Sequence, residues 1–114
     1  MADEKKEVVF PGGPTVEWVE KTKEAVGDVF TTAINDEIFI FRLLTRTEYK
    51  NIISSMDGDG FTREDDVCSA CVLWPEEAAT KFKANGYPAG YPGTISDAIL
   101  RESGFVGEVQ VKKL

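Results

Sequence analysis

The two cysteines of the chain, Cys68 and Cys71, have the spacing at which a thiol pair can bind zinc or form a redox couple. Structural zinc usually takes four Cys or His ligands, whereas this chain has two cysteines and no histidine. The pair also lies in the apolar stripe of a predicted helix, instead of opening a helix after a strand as redox motifs do. We therefore expect both thiols to pack in the core, and we predict no metal and no cofactor.

A second candidate site is the acidic segment from Ser55 to Asp66, which aligns with the twelve-residue calcium loop of an EF-hand. Asp57, Asp59 and Gly60 take its third, fifth and sixth positions. The first position is serine and the last is aspartate, where the loop normally has Asp and a longer, bidentate Glu. We favour a polar turn between two helices, and an EF-hand-like calcium-binding module stays an alternative.

No group of residues has the pattern of a catalytic site. The acidic pairs Asp65-Asp66 and Glu76-Glu77 consist of adjacent residues, which point about 100° apart on a helix and so do not face one substrate. Hydroxyl nucleophiles have no histidine and no lysine placed by a motif to activate them. We predict that the protein is not an enzyme.

Four aromatic side chains are candidates for binding another protein. Tyr87 and Tyr91 belong to a loop with a repeated Gly-Tyr-Pro pattern, and Trp74 and Phe105 lie nearby in the sequence. Aromatic residues on loops often anchor partners, because they bury a large area at a low entropic cost. The sequence equally allows these residues to close the core between short helices.

Charge and hydropathy exclude two classes of partner. Thirteen basic and twenty acidic side chains give a net charge of −7, which repels the phosphate backbone of nucleic acids. No apolar run approaches the roughly 20 residues that a helix needs to cross a bilayer.

The first seven residues are mostly charged and do not resemble a signal peptide, so we expect a cytosolic protein.

Strand signals predict a β-hairpin. Val29 to Ile34 and Ile38 to Leu43 both alternate around β-branched and aromatic residues, and Asn35-Asp36 joins them with residue types that tolerate a positive φ. The second strand has bulky residues on both faces, so we expect it to be covered on both sides. Candidate third strands are the segment around Val8 and the C-terminal tail.

Helix signals predict four or five short helices around the hairpin. The predicted starts are Thr15, Thr45, Thr62, Pro75 and Thr94. The corresponding ends are Gly27, the Asp57 to Gly60 turn, Trp74, Asn85-Gly86 and Ser103-Gly104.

The segment Thr45 to Glu48 has the pattern of a capping box. An apolar stripe that must face the core follows it: Tyr49, Ile52, Ile53 and Met56.

These elements form one α+β domain of residues 8–105. Residues 1–7 are predicted to be a flexible charged arm, and residues 106–114 a tail or an edge strand. Phe105 falls where a Schellman motif places its apolar contact.

The order of motifs along residues 15–105 resembles that of small tail or baseplate assembly chaperones of tailed bacteriophages. The resemblance rests on Phe39 to Tyr49, Val67 to Pro75, Ala89-Gly90, Thr94 to Ser96, Ile99-Leu100 and Ser103 to Phe105. It implies a non-enzymatic protein that binds a tail component, typically the tape-measure protein, in the host cytoplasm. The Asp-Gly-Asp-Gly turn and the doubled Gly-Tyr-Pro loop depart from the family pattern.

The runner-up interpretation is a minor structural protein of the tail or baseplate, which would remain in the virion. The sequence leaves open whether the protein forms a homo-oligomer.

Overall fold

The computed structural model describes residues 7–55, 60–104 and 111–114. This part of the chain contains five helices and three strands, which confirms the predicted α+β fold. In chain order they are α1 (Val16–Val26), β1 (Val29–Ile34), β2 (Glu37–Arg42), α2 (Arg46–Ser55), α3 (Gly60–Cys71), β3 (Val72–Trp74), α4 (Ala78–Lys83) and α5 (Tyr91–Glu102). None of these helices has the length and apolar character of a membrane-spanning segment.

The hairpin of β1 and β2 is confirmed within one residue of its predicted bounds. The strands are antiparallel, and Ile34 pairs with Glu37 across the turn. Asn35 and Asp36 have φ angles of 49° and 72°, as a two-residue type I′ turn requires. This turn follows the right-handed twist of the strands and fixes the register, in which Thr32 faces Phe39.

The third strand is β3, so the prediction that Val72 to Trp74 end a helix is wrong. The sheet order is β1-β2-β3, with Val72 opposite Phe41 and Trp74 opposite Ile40. The helix ends at Cys71 because β-branched and aromatic residues follow it, and because the residue before a proline avoids helical geometry. The backbone of Val72 to Trp74 then pairs with the open edge of β2.

Neither of the predicted third strands joins the sheet in the described part of the chain. Val8 forms a single bridge with Thr15, and the segment folds back on itself, with the Val9 N–H donating to the Pro14 carbonyl at 3.0 Å. This local pairing gives the segment backbone partners outside the sheet. Residues 106–110 of the tail lie outside the described residues, and residues 111–114 are exposed and not in a strand.

The predicted ends of α1 are confirmed. The Thr15 side chain accepts a hydrogen bond from the Trp18 N–H at 3.0 Å and so caps the helix. Gly27, with a φ of 88°, closes it by donating to the Lys23 carbonyl at 2.9 Å. A positive φ of this kind favours glycine, which explains why the helix stops at this position.

Two later helices begin before the predicted threonines. α3 begins at Gly60, not at Thr62. α5 begins at Tyr91 inside the Gly-Tyr-Pro loop, so that Thr94 lies within the helix and does not cap it. Pro92 explains this start, because proline fits the first turn of a helix, where its missing N–H has no partner to lose.

The fourth helix begins after its predicted start. Pro75, Glu76 and Glu77 precede α4, and the Pro75 carbonyl accepts from the Ala78 N–H at 2.9 Å. The predicted end is confirmed as a Schellman motif, in which the Gly86 N–H donates to the Lys81 carbonyl at 2.9 Å.

The core lies between one face of the sheet and the last three helices. Phe39 and Phe41 of β2 point into it, each at most 1% exposed. They meet buried side chains of α3, α4 and α5: Val67, Cys68, Cys71, Ala78, Phe82, Ile95 and Ile99. On the opposite face Ile40 is also buried, and Trp18 of α1 contacts Trp74 there with ring centroids 5.5 Å apart. Burial of β2 on both faces is thus confirmed.

Helix α2 buries only part of its predicted stripe. Ile52 is buried and Tyr49 packs against the core, but Ile53 is 39% exposed. Met56 lies outside the described residues.

An ion pair joins three elements beside the core. Arg42, at the end of β2, donates to both carboxylate oxygens of Glu48 at 2.9 and 2.7 Å, and to the Ala70 carbonyl of α3 at 2.8 Å. Glu48 also accepts from the Thr45 N–H at 3.0 Å, and Thr45 accepts from the Glu48 N–H at 3.2 Å, which confirms the capping box. The hydrogen bonds from Arg42 lower the pKa of Glu48 to about 2.

We predict that Glu48→Gln destabilises the fold by about 1 to 2 kcal/mol at pH 7. Because the pKa of Glu48 is lowered from 4.5 to about 2, its stabilising effect is present above pH 4.5 and is lost as the pH falls toward 2. Urea unfolding of both proteins across this range measures the difference. It should shrink with falling pH, whereas the exposed control Glu20→Gln should differ little from wild type throughout. A pH-independent difference for Glu48→Gln would contradict the assignment.

Candidate partner-binding site

Tyr87 lies at the centre of an aromatic cluster that joins the Gly-Tyr-Pro loop to the core. Its ring centroid is 4.5 Å from that of Phe82 and 5.5 Å from that of Phe39. Tyr91 stacks on it at 5.9 Å, is 7% exposed, and accepts a long 3.5 Å hydrogen bond from the Asn35 amide. Tyr87 remains half-buried, so it alone of this pair presents appreciable surface to a partner.

The structure places Trp74 on a different surface. It is half-buried on the outer face of the sheet, where its ring packs edge-to-face with Trp18. The Trp18 indole N–H donates to Glu76 at 3.3 Å. Phe105 lies outside the described residues. The structure therefore brings Tyr87 and Tyr91 together but does not join Trp74 to them, and partner binding by these residues stays a prediction.

A groove of about 370 Å³ opens beside Tyr87, between α3, α4 and the loop that precedes α5. We call it the aromatic groove. Its apolar lining comes from Phe61, Phe82, Tyr87, Pro88, Ala89 and Pro92. Its polar lining comes from Glu64, Asp65 and Asn85.

Phe61 lines the groove and is not among the candidate residues predicted from the sequence. Its side chain is 79% exposed, although it is large and apolar. Glu64 and Asp65 follow it at i+3 and i+4, so the three side chains lie on one face of α3. A phenylalanine with acidic residues at these spacings, just after a polar turn, was the available signal that this part of the helix does not face the core.

The acidic side of the groove lies close to the first turn of α5. A Cβ atom added to Gly93 would lie 3.3 Å from the nearer carboxylate oxygen of Glu64, so glycine permits this close approach. Among the described residues, no basic side chain forms an ion pair with Glu64. Asp66, which does not line the groove, pairs with Lys83 at 3.5 Å.

A cation already contacts one ring at the edge of this region. The Lys81 ammonium lies over the Tyr87 ring, 4.4 Å from its centroid. Burial raises the pKa of the Tyr87 hydroxyl, with a further contribution from Glu77 and Glu37. The ring is therefore neutral at physiological pH and presents an electron-rich face to a positive charge.

Both cysteines lie in the core, as predicted. Each is fully buried in α3, and the Cys68 thiol donates a 3.4 Å hydrogen bond to the Pro92 carbonyl. Burial raises the pKa of both thiols, that of Cys71 to about 11. Neutral, enclosed thiols are poor nucleophiles. Within the described ranges, no three Cys, Asp or Glu side chains converge as a metal site requires.

The geometry of α3 weighs against the calcium loop. Residues 56–59, which include Asp57 and Asp59, lie outside the described residues. From Gly60 onward the chain is already helical, so the last seven positions of the aligned loop belong to α3. An EF-hand uses the seventh backbone carbonyl as a ligand, but here Phe61 takes that position inside the first turn of a helix.

A solved structure of an uncharacterised protein from Bacillus stearothermophilus is similar to this chain, with a TM-score of 0.63 and 14% sequence identity. The similarity covers 82% of this chain and 98% of that one. Identity at this level shows a shared fold and nothing of function. No protein-family model and no curated protein matches the sequence.

We predict that neither cysteine reacts readily with Ellman's reagent in the folded protein at pH 8. Burial and the raised pKa values should slow labelling by roughly a hundredfold or more relative to the urea-unfolded chain, which should release two equivalents of the chromophore. The variants Cys68→Ala and Cys71→Ala assign any residual reaction to one thiol. Rapid labelling of either thiol with an unchanged circular dichroism spectrum would show that it is accessible.

Proposed function

We propose that this protein is a non-enzymatic tail-assembly chaperone of a tailed bacteriophage. It binds a tail component, such as the tape-measure protein, in the host cytoplasm while the tail is being built. The proposal combines the motif order described for residues 15–105 with a surface suited to holding another polypeptide.

The aromatic groove is the observation that carries the proposal. Exposing a phenylalanine to water is unfavourable, and aromatic side chains at the edge of a pocket are typical anchors of protein interfaces. Phe61 is 79% exposed next to the half-buried Tyr87, on a groove large enough for one or two side chains of a partner. A chaperone needs such a surface in order to shield apolar segments of its client.

The overall charge supports the same role. A net charge of −7 keeps a small carrier soluble while it holds an aggregation-prone client, and it steers the carrier toward basic partners. The groove itself is acidic on the α3 side, through Glu64 and Asp65.

Co-expression tests the proposal. The tagged protein is produced together with the tape-measure protein and the other products of the neighbouring tail genes, and the captured proteins are identified by mass spectrometry. We expect a tail component to co-purify with the wild type, and about tenfold less of it with Phe61→Ser, since removal of an aromatic anchor commonly costs 1 to 2 kcal/mol or more. Val26→Ser, which alters an exposed apolar residue of α1, is the matched control and should capture as much as wild type.

The same experiment has outcomes that contradict the proposal. Capture of no tail component by the wild type would overturn it, and equal capture by Phe61→Ser would place the binding surface elsewhere. Mass spectrometry of purified virions separates a chaperone from a minor tail or baseplate protein. A chaperone should be absent from the particles, and a structural protein should be present in them.

A further inference from the structure

We propose that the aromatic groove recognises a lysine or arginine side chain of the client. The aliphatic stem lies against Phe61, and the charged group lies at the Glu64 and Asp65 carboxylates. This inference deepens the proposed function and rests on it, because it names the chemistry by which the client is held.

The groove has an apolar part followed by an acidic part, and a long basic side chain has a matching apolar stem followed by a charged head. Phe61 contributes a largely exposed ring to the lining of the groove, and the two carboxylates follow it one helical turn further along α3. Lysine and arginine have the same order of parts, since an apolar stem of several carbons precedes the charged head. A purely apolar side chain would also cover Phe61. It would, however, displace water from the two carboxylates without offering them a positive charge, which is unfavourable.

Glu64 is placed to receive the charged head. Glu64 is half-buried, its carboxylate lies close to Gly93, and no basic side chain among the described residues forms an ion pair with it. Asp65, on the same helical face, adds a second negative charge beside it. An ion pair in such a partly desolvated groove is stronger than one on an open surface, because less water screens it.

A contact between a cation and an aromatic ring already exists within the protein. Lys81 lies over the Tyr87 ring at 4.4 Å, so the cluster that forms the inner wall of the groove accepts a cation on a ring face. A client residue in the groove would extend this arrangement with Phe61 and the carboxylates. An acidic client residue is disfavoured there, since it would meet the negative charges of Glu64 and Asp65.

Four synthetic peptides that differ in one residue test the proposal. Each is an acetylated and amidated Leu-Leu-Xaa-Leu-Leu sequence flanked by Gly-Ser repeats, with Lys, Arg, Gln or Glu at the central position. Titration into the ¹⁵N-labelled full chain, followed by NMR, measures affinity and locates binding at once. We expect the Lys and Arg peptides to shift the amide signals of Phe61, Glu64 and Tyr87, and to bind roughly five- to tenfold more tightly than the Gln peptide. The Glu peptide should bind most weakly.

Variants assign the effect to the groove. Glu64→Gln keeps the size of the side chain and should clearly reduce the preference for Lys over Gln, since only Asp65 then remains, whereas the exposed control Glu20→Gln should keep it. Phe61→Ala should weaken all four peptides by roughly tenfold, because each of them packs on the ring. Raising the salt concentration should weaken the Lys and Arg peptides more than the Gln peptide.

Several results would overturn the proposal. These are equal binding of the Lys and Gln peptides, an unchanged preference in Glu64→Gln, signal shifts outside the groove, or no binding of any peptide. The outcome is separable from that of the co-expression experiment. A tail complex without lysine preference would contradict this inference alone, and lysine preference without a tail complex would contradict the chaperone assignment alone.

Discussion

Burial of β2 on both faces is the constraint from which the remaining structure follows. Phe39 and Phe41 on one side and Ile40 on the other are at most 2% exposed, so helices or rings must cover both sides of a sheet with only three strands. The three later helices cover the first face, and α1 with its Trp18 ring covers part of the second. Arg42, the last residue of the same strand, then ties α2 and α3 to the sheet through Glu48 and the Ala70 carbonyl.

The aromatic groove is a consequence of the same strand. Phe39 meets Phe82 and Tyr87, which holds the Gly-Tyr-Pro loop against the end of α4. Because α3 packs against both α4 and α5, its first turn forms the opposite side of the groove and carries Phe61. The groove therefore has one wall of packed rings, while Phe61 on α3 is a large and mostly exposed apolar side chain of its lining. A preformed wall of this kind reduces the entropy that must be lost on binding.

Local signals predicted much of this fold from sequence. The Asn35-Asp36 turn and the Thr45 to Glu48 capping box depend on a few adjacent residues, and both were found as expected. The assignment of β3 failed because Val72 to Trp74 continues the apolar pattern of α3, and only the distant edge of β2 makes it a strand. The groove itself was not predicted, because it forms where α3, α4 and the loop before α5 meet. Tyr87 was a candidate from its loop, whereas the acidic residues at i+3 and i+4 from Phe61 indicate only that this face of α3 lies away from the core, and not which residues lie beside it.

The proposed function requires that Phe61 contacts a tail protein during assembly. The most direct measurement replaces Phe61 with the photo-crosslinking amino acid benzoylphenylalanine in phage-infected cells, and identifies the cross-linked product by mass spectrometry. The account predicts a covalent adduct with a tail component that forms during tail assembly and is much weaker when the crosslinker replaces Glu20 of α1. Absence of any tail adduct at position 61, or equal adducts at both positions, would contradict it.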